Sequence, residues 1–505
     1  MSLANAPTTP QLERSRRLSL LFLGIPAFFT LYVFVTIVYN LFFHPLRRYP
    51  GPFLASISRL WSRIGNFHGC KSERIHAAHE KYGPIVRVGP NELSFANPAA
   101  VRDIYTSKSF VKEETFYRAK RIFHENHLFS FRNAEAHNQR RKLLARGFSQ
   151  AAINQFEPNL ISKIQTLLDQ WERLSRSSEE PINVYPWAHW LGFDTVYHLM
   201  FEEDPGSVKK GKADPIMQYI RAWRPTFIYK EFMPQLEQWG LYVPGRVGGY
   251  FRDVQTWKKI AMDVVGKVRV NGTKTPFLSN VLSNQDAYLG RPLNDSELAE
   301  ECMGGMFGGS GTTANTFVYI LWGCLRNPDV VRKLKKELKS AFPDRSTVPD
   351  NLTCSNLPYL QAVINETLRR YPTIIATLPR TAAEDVVVAS HPLPKGTVVG
   401  TQNYTIHRWE SAFPDPEKFN PDRWLSSNND EERKLAFTPF SVGPRRCIGM
   451  NLAEMELNLL TACFFLRFDA TIDSSMTDED MRLYDTFNAG PAGAKLLVHL
   501  KVVED

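Results

Sequence analysis

Residues 440–449 restrict the fold of this chain more tightly than any other segment. Phe440, Ser441, Val442, Gly443, Pro444, Arg445 and Arg446 form a loop rich in glycine, proline and arginine. The loop presents Cys447 and runs at once into a helical pattern, with Ile448, Leu452, Met455 and Leu459 on one face. Cys447 therefore stands at a helix N-terminus, where unpaired N–H groups and the helix dipole favour a thiolate. Arg445 and Arg446 add positive charge beside it. Such a thiolate is either a nucleophile or a metal ligand. The glycines flanking it let a flat ligand come close to the backbone.

A second segment makes a related demand. Asn294 to Glu297 has the form of a capping box, and the helical pattern continues to Asn327-Pro328, a natural stop. A helix of roughly 30 residues would span about 45 Å, most of a globular domain. Inside it lie Gly304, Gly305, Gly308, Gly309 and Gly311, each costing roughly 1 kcal/mol against alanine. Close passage over a flat cofactor, with a local distortion of the helix, is a compensating reason. Gly309, Gly311 and Ala314 formally match a dinucleotide fingerprint, but that motif should follow a strand and open a helix. Here it lies far inside one.

Glu366 and Arg369 lie three apart on a helical segment whose apolar face is Leu360, Val363, Ile364 and Leu368, so their side chains can meet. Short strand-like runs occur at residues 85–88, 386–388 and 397–399. The remaining pattern is chiefly helical.

These segments, in this order, resemble the cytochrome P-450 superfamily. Its haem-binding signature is F-x-x-G-x-R-x-C-x-G, and Phe440, Gly443, Arg445, Cys447 and Gly449 fill every fixed position. The resemblance implies a mainly α fold with small β-sheets, and haem b between the long helix and the helix after Cys447. It makes Cys447 the axial iron ligand, Arg445 a propionate partner and Phe440 a neighbour of the thiolate. Arg423, in residues 419–424, would lock with Glu366 and Arg369. His137 and Arg141, one helical turn apart, together with Arg380 and His407, would add propionate contacts. Thr312 would serve proton delivery, but Gly311 stands where the family usually has an acid, which puts that route in doubt. Met303, Phe307, Ile374, Ile375 and Thr377 would wall the substrate pocket.

The implied reaction inserts one oxygen atom of O2 into a largely apolar small molecule. Electrons would come from NADPH through a membrane-bound cytochrome reductase. Arg140, Lys142 and Arg446 would offer that acidic partner a docking face. Residues 112–141 look closest to fungal enzymes of specialised metabolism. Gly311 leaves open a rearrangement or radical coupling without net hydroxylation. A haem-binding sensor or carrier is the rival from another class, and Thr312 and the glycines speak against it.

Residues 19–43 carry no charge and are long enough to cross about 30 Å of hydrocarbon as a helix. They lack a small-residue cleavage site, so the expected arrangement is a short tail (1–18), an uncleaved anchor (19–43), a proline-rich hinge (44–52) and one haem-binding catalytic domain (53–505). Arg14, Arg16 and Arg17 before the anchor nearly balance Arg47 and Arg48 after it, so charge does not orient it. The resemblance to microsomal members implies the endoplasmic reticulum membrane, with the catalytic domain cytosolic. The net charge of +9 is modest, suits an acidic partner or an anionic membrane, and gives no argument for nucleic acid. Six cysteines without C-x-x-C spacing make neither a disulfide framework nor a zinc site. All but Cys447 read as buried thiols. Sequons at Asn271, Asn294, Asn351, Asn365 and Asn403 would matter only in a lumenal domain. The aromatic stretch 222–242 is either core or a channel wall near the membrane.

Overall fold

The computed structural model describes residues 26–344, 347–426 and 430–503. The expected tail and the first seven residues of the expected anchor lie outside them. The rest of the anchor is helix α1 (Pro26–Phe43), with a mean hydropathy of 1.7. Its 18 residues are long and apolar enough to cross a membrane, about 27 Å at about 1.5 Å per residue. Phe28, Phe29, Phe34, Phe42 and Phe43 are all exposed, so among the described residues the helix is covered only near its C-terminal end, where Asn40 is buried. The hinge is docked. Leu46 and Tyr49 are buried, the Arg87 N–H donates to Pro50 O (2.8 Å), and the Arg87 guanidinium donates to Asn40 O (2.9 Å).

Beyond the hinge the chain is mostly helical, with four small sheets among the described residues. The largest sheet contains β1 (Ile85–Gly89), β2 (Glu92–Phe95), β3 (Phe110–Lys112), β4 (Arg380–Ala382) and β5 (Val398–Gly400), in the order β1-β2-β5-β4-β3. The expected strand at 397–399 thus begins one residue later. In the antiparallel β3–β4 pair Lys112 faces Arg380, which sets two cations side by side.

The main hydrophobic core lies among the helices α2 (Ala134–Ala145), α3 (Val184–Phe201), α4 (Ile216–Phe232), α5 (Gly245–Asn271), α6 (Asp295–Gly309), α7 (Thr312–Leu325), α8 (Pro358–Arg370) and α9 (Met450–Arg467). Residues 313–324 of α7 are buried on every side. That is why its sequence is apolar without an amphipathic stripe.

The capping box at Asn294 and Glu297 is formed, both hydrogen bonds measuring 2.9 Å. The expected continuous helix, however, breaks between α6 and α7 at Ser310 and Gly311. Hydroxyls take over part of the lost ladder: Ser310 donates to Met306 O (2.7 Å) and Thr312 to Gly308 O (2.8 Å). The glycines also have a different cause from the one expected. A Cβ on Gly305 would lie 2.5 Å from Met200 Sδ, and one on Gly309 would lie 2.8 Å from Val196 Cγ2. Both neighbours belong to α3, so these glycines let two helices pack closely. Gly304 abuts His127 and Gly311 abuts Asn488, while Gly308 alone faces open space. Gly309→Val should therefore overpack the α3–α6 contact and cost about 1–3 kcal/mol, read as a lowered urea midpoint. A valine at Gly308 should leave that midpoint unchanged.

Arg140 lies inside the protein, 2% exposed. It pairs with Asp286 (2.6 Å) and Glu301 (2.5 Å). It therefore does not belong to the expected docking face, because buried carboxylates from two other segments need its charge. Lys142 and Arg446 are exposed. Of the five other cysteines four are buried and Cys70 is half-buried. The aromatic stretch divides: Trp223 and Phe227 are core, whereas Phe232, Trp239 and Tyr242 are exposed. Asn294 serves as a helix cap, and the Asn403 amide donates to Ile374 O and Thr438 O. These two sequon side chains are already committed.

Candidate active site

Cys447 is held by its loop before α9 begins. Its N–H donates to Phe440 O (2.9 Å), and Gly443, at φ +72°, fits under Tyr105 O, where a Cβ would come within 2.4 Å. Gly443 therefore serves the turn and its close packing. Gly449 has no atom within 4 Å of where its Cβ would be, so the space beside Cys447 is open. Cys447 is also the one exposed cysteine of the six, yet protein surrounds the space that its sulfur faces, so the thiol is accessible and still desolvated. Burial raises its thiol pKa, opposed by a hydrogen bond from the Gly449 N–H and by the charges of Arg141 and Arg446. Helix end and arginines alone thus do not make the thiolate expected from the sequence, since burial of the sulfur outweighs them. A metal cation bound at sulfur would supply the missing stabilisation.

Among the described residues, the cations around this loop form a set without ion-pair partners of their own. Burial lowers Arg445 to about 10, with Arg380 and Arg141 adding repulsion. Its nearest acceptors are Phe131 O and Arg132 O, both at 3.5 Å. Arg141 donates to Arg446 O (2.8 Å), which ties α2 to the cysteine loop. Arg380, 4% exposed, donates to Tyr117 Oη (2.6 Å). Burial, then Arg445 and Lys112, push His137 down to about 3, so its imidazole is neutral at physiological pH.

Lys112 belongs to this group, although sequence reasoning did not single it out. It is 4% exposed, donates to Phe129 O (2.6 Å), and is held well below the usual lysine range by burial and by Arg445, Arg380 and Arg141. Its only signal in sequence is a lysine inside a strand, which reads as an edge charge. The fit to haem is good on these grounds: an open thiol, a glycine-lined space and clustered cations that lack the two carboxylates a haem carries.

His407 stands apart from this set. It is fully buried, its Nε2 accepts from Thr438 N (3.0 Å), and its carbonyl accepts from Arg369 (3.0 Å). Behind the loop, Glu366 accepts from Arg369 Nε (2.9 Å), Arg369 NH2 (2.8 Å), Arg423 Nε (3.2 Å), Asn420 N (2.8 Å) and Trp424 Nε1 (2.9 Å). The three expected partners are brought together, and Asn420 and Trp424 complete the carboxylate's acceptor capacity.

Thr312 begins α7 with its hydroxyl on Gly308 O. The space a side chain at Gly311 would need is occupied by the Asn488 amide, 2.6 Å from the Cβ position. Asn315 links this corner to His189 (3.0 Å) and to Ala489 O (3.1 Å). Of the expected pocket walls, Met303 and Ile375 are buried, and Phe307 packs against Trp223 (3.7 Å between ring centres) and Phe487 (5.6 Å). Phe487, absent from the sequence reading, sits at φ +77° on the hairpin joining β6 (Leu483–Tyr484) to β7 (Gly490–Pro491). Its ring also meets those of Phe116, Phe129 and Phe227. No local sequence pattern marks such a residue, because its partners lie 180 or more positions away.

The family model for cytochrome P450 matches residues 56–497. Benzoate 4-monooxygenase bphA of Aspergillus niger is 31% identical over 457 residues, covering 84% of this chain and 87% of that protein. Cytochrome P450 monooxygenase stcB of Emericella nidulans is also 31% identical, over 89% of this chain and 87% of that protein. Among solved structures, the haem domain of cytochrome P450DA superposes with a TM-score of 0.77 at 20% identity, over 90% of this chain and 98% of that one. Fold, matched family and relatives agree that this chain belongs to the cytochrome P450 family and is a haem-iron monooxygenase.

Proposed function

We propose that Cys447 ligates the iron of haem b in a catalytic domain of residues 53–505, and that the enzyme oxidises a largely apolar small molecule of specialised metabolism. The observation that carries this reading is the accessible Cys447 thiol beside buried and half-buried cations that have no ion-pair partner among the described residues. Lys112, Arg141, Arg380 and Arg445 would hold the two propionates, with neutral His137 as a hydrogen-bonding neighbour. Phe440 and Gly449 would border the thiolate, and Gly443 would keep the turn that presents it. When bound, haem supplies the oxidation chemistry, and a thiolate ligand raises its electron density.

Thr312 would handle protons, with the Asn488 amide that fills the space beside Gly311, and solvent, in place of the usual acid. That missing acid also supports a second reading, rearrangement or radical coupling without net hydroxylation. The exposed helix α1 and the exposed Phe232, Trp239 and Tyr242 support an enzyme anchored in the endoplasmic reticulum membrane, with its catalytic domain in the cytosol. Electrons would come from NADPH–cytochrome reductase, docking near the exposed Lys142 and Arg446.

The test is a reduced, carbon-monoxide difference spectrum, followed by turnover with NADPH, reductase and O2. A strongly red-shifted Soret band and oxygen-dependent product are expected. Product without O2 consumption would favour the rearrangement reading, and no red-shifted band would overturn thiolate ligation.

A further inference from the structure

Leu483 pairs with Pro491 and Tyr484 with Gly490, so the hairpin joining β6 to β7 turns through residues 485–489. Its middle residue, Phe487, takes φ +77° with its side chain buried. A left-handed backbone is costly under a bulky side chain and persists only where the surroundings fix it. Here the loop is fixed on both sides. On one side Asp485 N donates to Gly69 O (2.8 Å), and the Asp485 carboxylate accepts from the N–H (3.0 Å) and hydroxyl (2.5 Å) of Ser72. On the other, Ala489 N donates to Thr373 O (2.7 Å), and Ala489 O accepts from Asn315 Nδ2 (3.1 Å).

Asn315 is buried on α7, and its amide is fully engaged. Nδ2 also approaches Asn488 Oδ1 (3.5 Å), and Oδ1 meets His189 Nε2 of α3 (3.0 Å). Because Nδ2 is committed to a carbonyl, Oδ1 faces the imidazole, and Nε2 therefore carries the proton. Burial lowers His189 to about 4, so near neutrality the ring is uncharged and keeps that one N–H. The Tyr185 ring packs against it, 4.4 Å between centres. There is no slack at the hairpin: a Cβ on Gly490 would lie 2.9 Å from both polar atoms of the Asn315 amide.

The ring held at the tip faces the expected pocket. Phe487 stacks on Phe307 of α6 (5.6 Å) and meets Phe116, Phe129 and Phe227. Its neighbour Asn488 fills the space beside Gly311, next to Thr312. We propose that Asn315, oriented by His189, is a positioning residue that holds Phe487 among the pocket walls, and that this pair thereby limits the size of molecule the enzyme accepts. The assignment rests on the monooxygenase reading above. Both residues act on a bound molecule only through Phe487.

Full-length, haem-loaded protein is titrated with imidazole and with the bulky azole clotrimazole, each followed by the Soret shift. Asn315→Asp keeps the volume and the acceptor for His189 but sets an oxygen against Ala489 O. It should raise the preference for clotrimazole over imidazole by about ten-fold, while imidazole itself stays within about three-fold of wild type. His189→Leu should do the same, and it decides the matter if Asn315→Asp folds poorly. His189→Gln, whose amide can still donate, should keep the wild-type ratio. Phe487→Ala should raise the preference at least as far, and adding Asn315→Asp to it should change nothing more, because the two act as one unit. Chymotrypsin reads the loop without any ligand: cleavage after Phe487, followed by mass spectrometry, should appear in Asn315→Asp and not in wild type. An unchanged ratio in both Asn315→Asp and His189→Leu, shifts that add in the double variant, or a Phe487 that stays protected would overturn the proposal. A wild type without the red-shifted carbon-monoxide band refutes the haem–thiolate reading instead, and the cleavage pattern then judges the loop alone.

Discussion

Glu366→Gln is expected to reduce the yield of folded, haem-loaded protein to a small fraction of wild type. The carboxylate is completely buried and accepts five hydrogen bonds, two of them from Arg369 and one from Arg423. Glutamine keeps the shape but turns one oxygen into a donor. Whichever way the amide is turned, at least two of the five contacts become donor against donor. The arginines also lose the charge that compensates their desolvation. Breaking a buried pair in this way costs about 3–5 kcal/mol. A domain holds only about 5–15 kcal/mol in total.

The damage should reach the cysteine loop by a short route. Arg369 holds the His407 carbonyl, and the His407 ring holds Thr438 N, two residues before Phe440. The measurements are the urea midpoint and the haem-to-protein ratio after purification. A glutamine variant with wild-type values for both would show that the network does not hold the loop.

Cys447→Ser should abolish the red-shifted carbon-monoxide band and reduce turnover to background, while the protein without haem melts close to wild type. The side chain is exposed, and its loop is held by the Cys447 N–H to Phe440 O, the Gly443 turn and the Arg141 contact to Arg446 O. None of these involves the sulfur. Serine therefore removes the ligand and leaves its setting. A serine hydroxyl is far less acidic than a thiol, and burial already raises the thiol here, so an alkoxide ligand is out of reach. A variant with an unchanged band would require another residue to hold the iron.

The strongest parts of the site were legible because they are local. The loop of residues 440–449 must turn at Gly443, present Cys447 and start a helix, and all three demands are written within ten residues. The same holds for the capping box of Asn294 and Glu297 and for the Glu366–Arg369 pair, whose partners lie three positions apart. Hydropathy alone likewise marks helix α1, since an apolar run of that length has few alternatives.

The misreadings share one physical reason. The glycines of α6 were assigned to a cofactor, whereas Met200 and Val196 of α3 set two of them. Arg140 was assigned to the surface, whereas Asp286 and Glu301 draw it inside. In each instance the deciding partner lies about a hundred or more residues away. Sequence by itself determined which groups exist and the local geometry of the cysteine loop, because backbone preference and side-chain spacing act over a few residues. Only the tertiary structure decided which charges face one another. It set Lys112 beside Arg380 and Arg445 and packed the Phe487 ring on Phe307, because burial and Coulomb forces act through space and not along the chain.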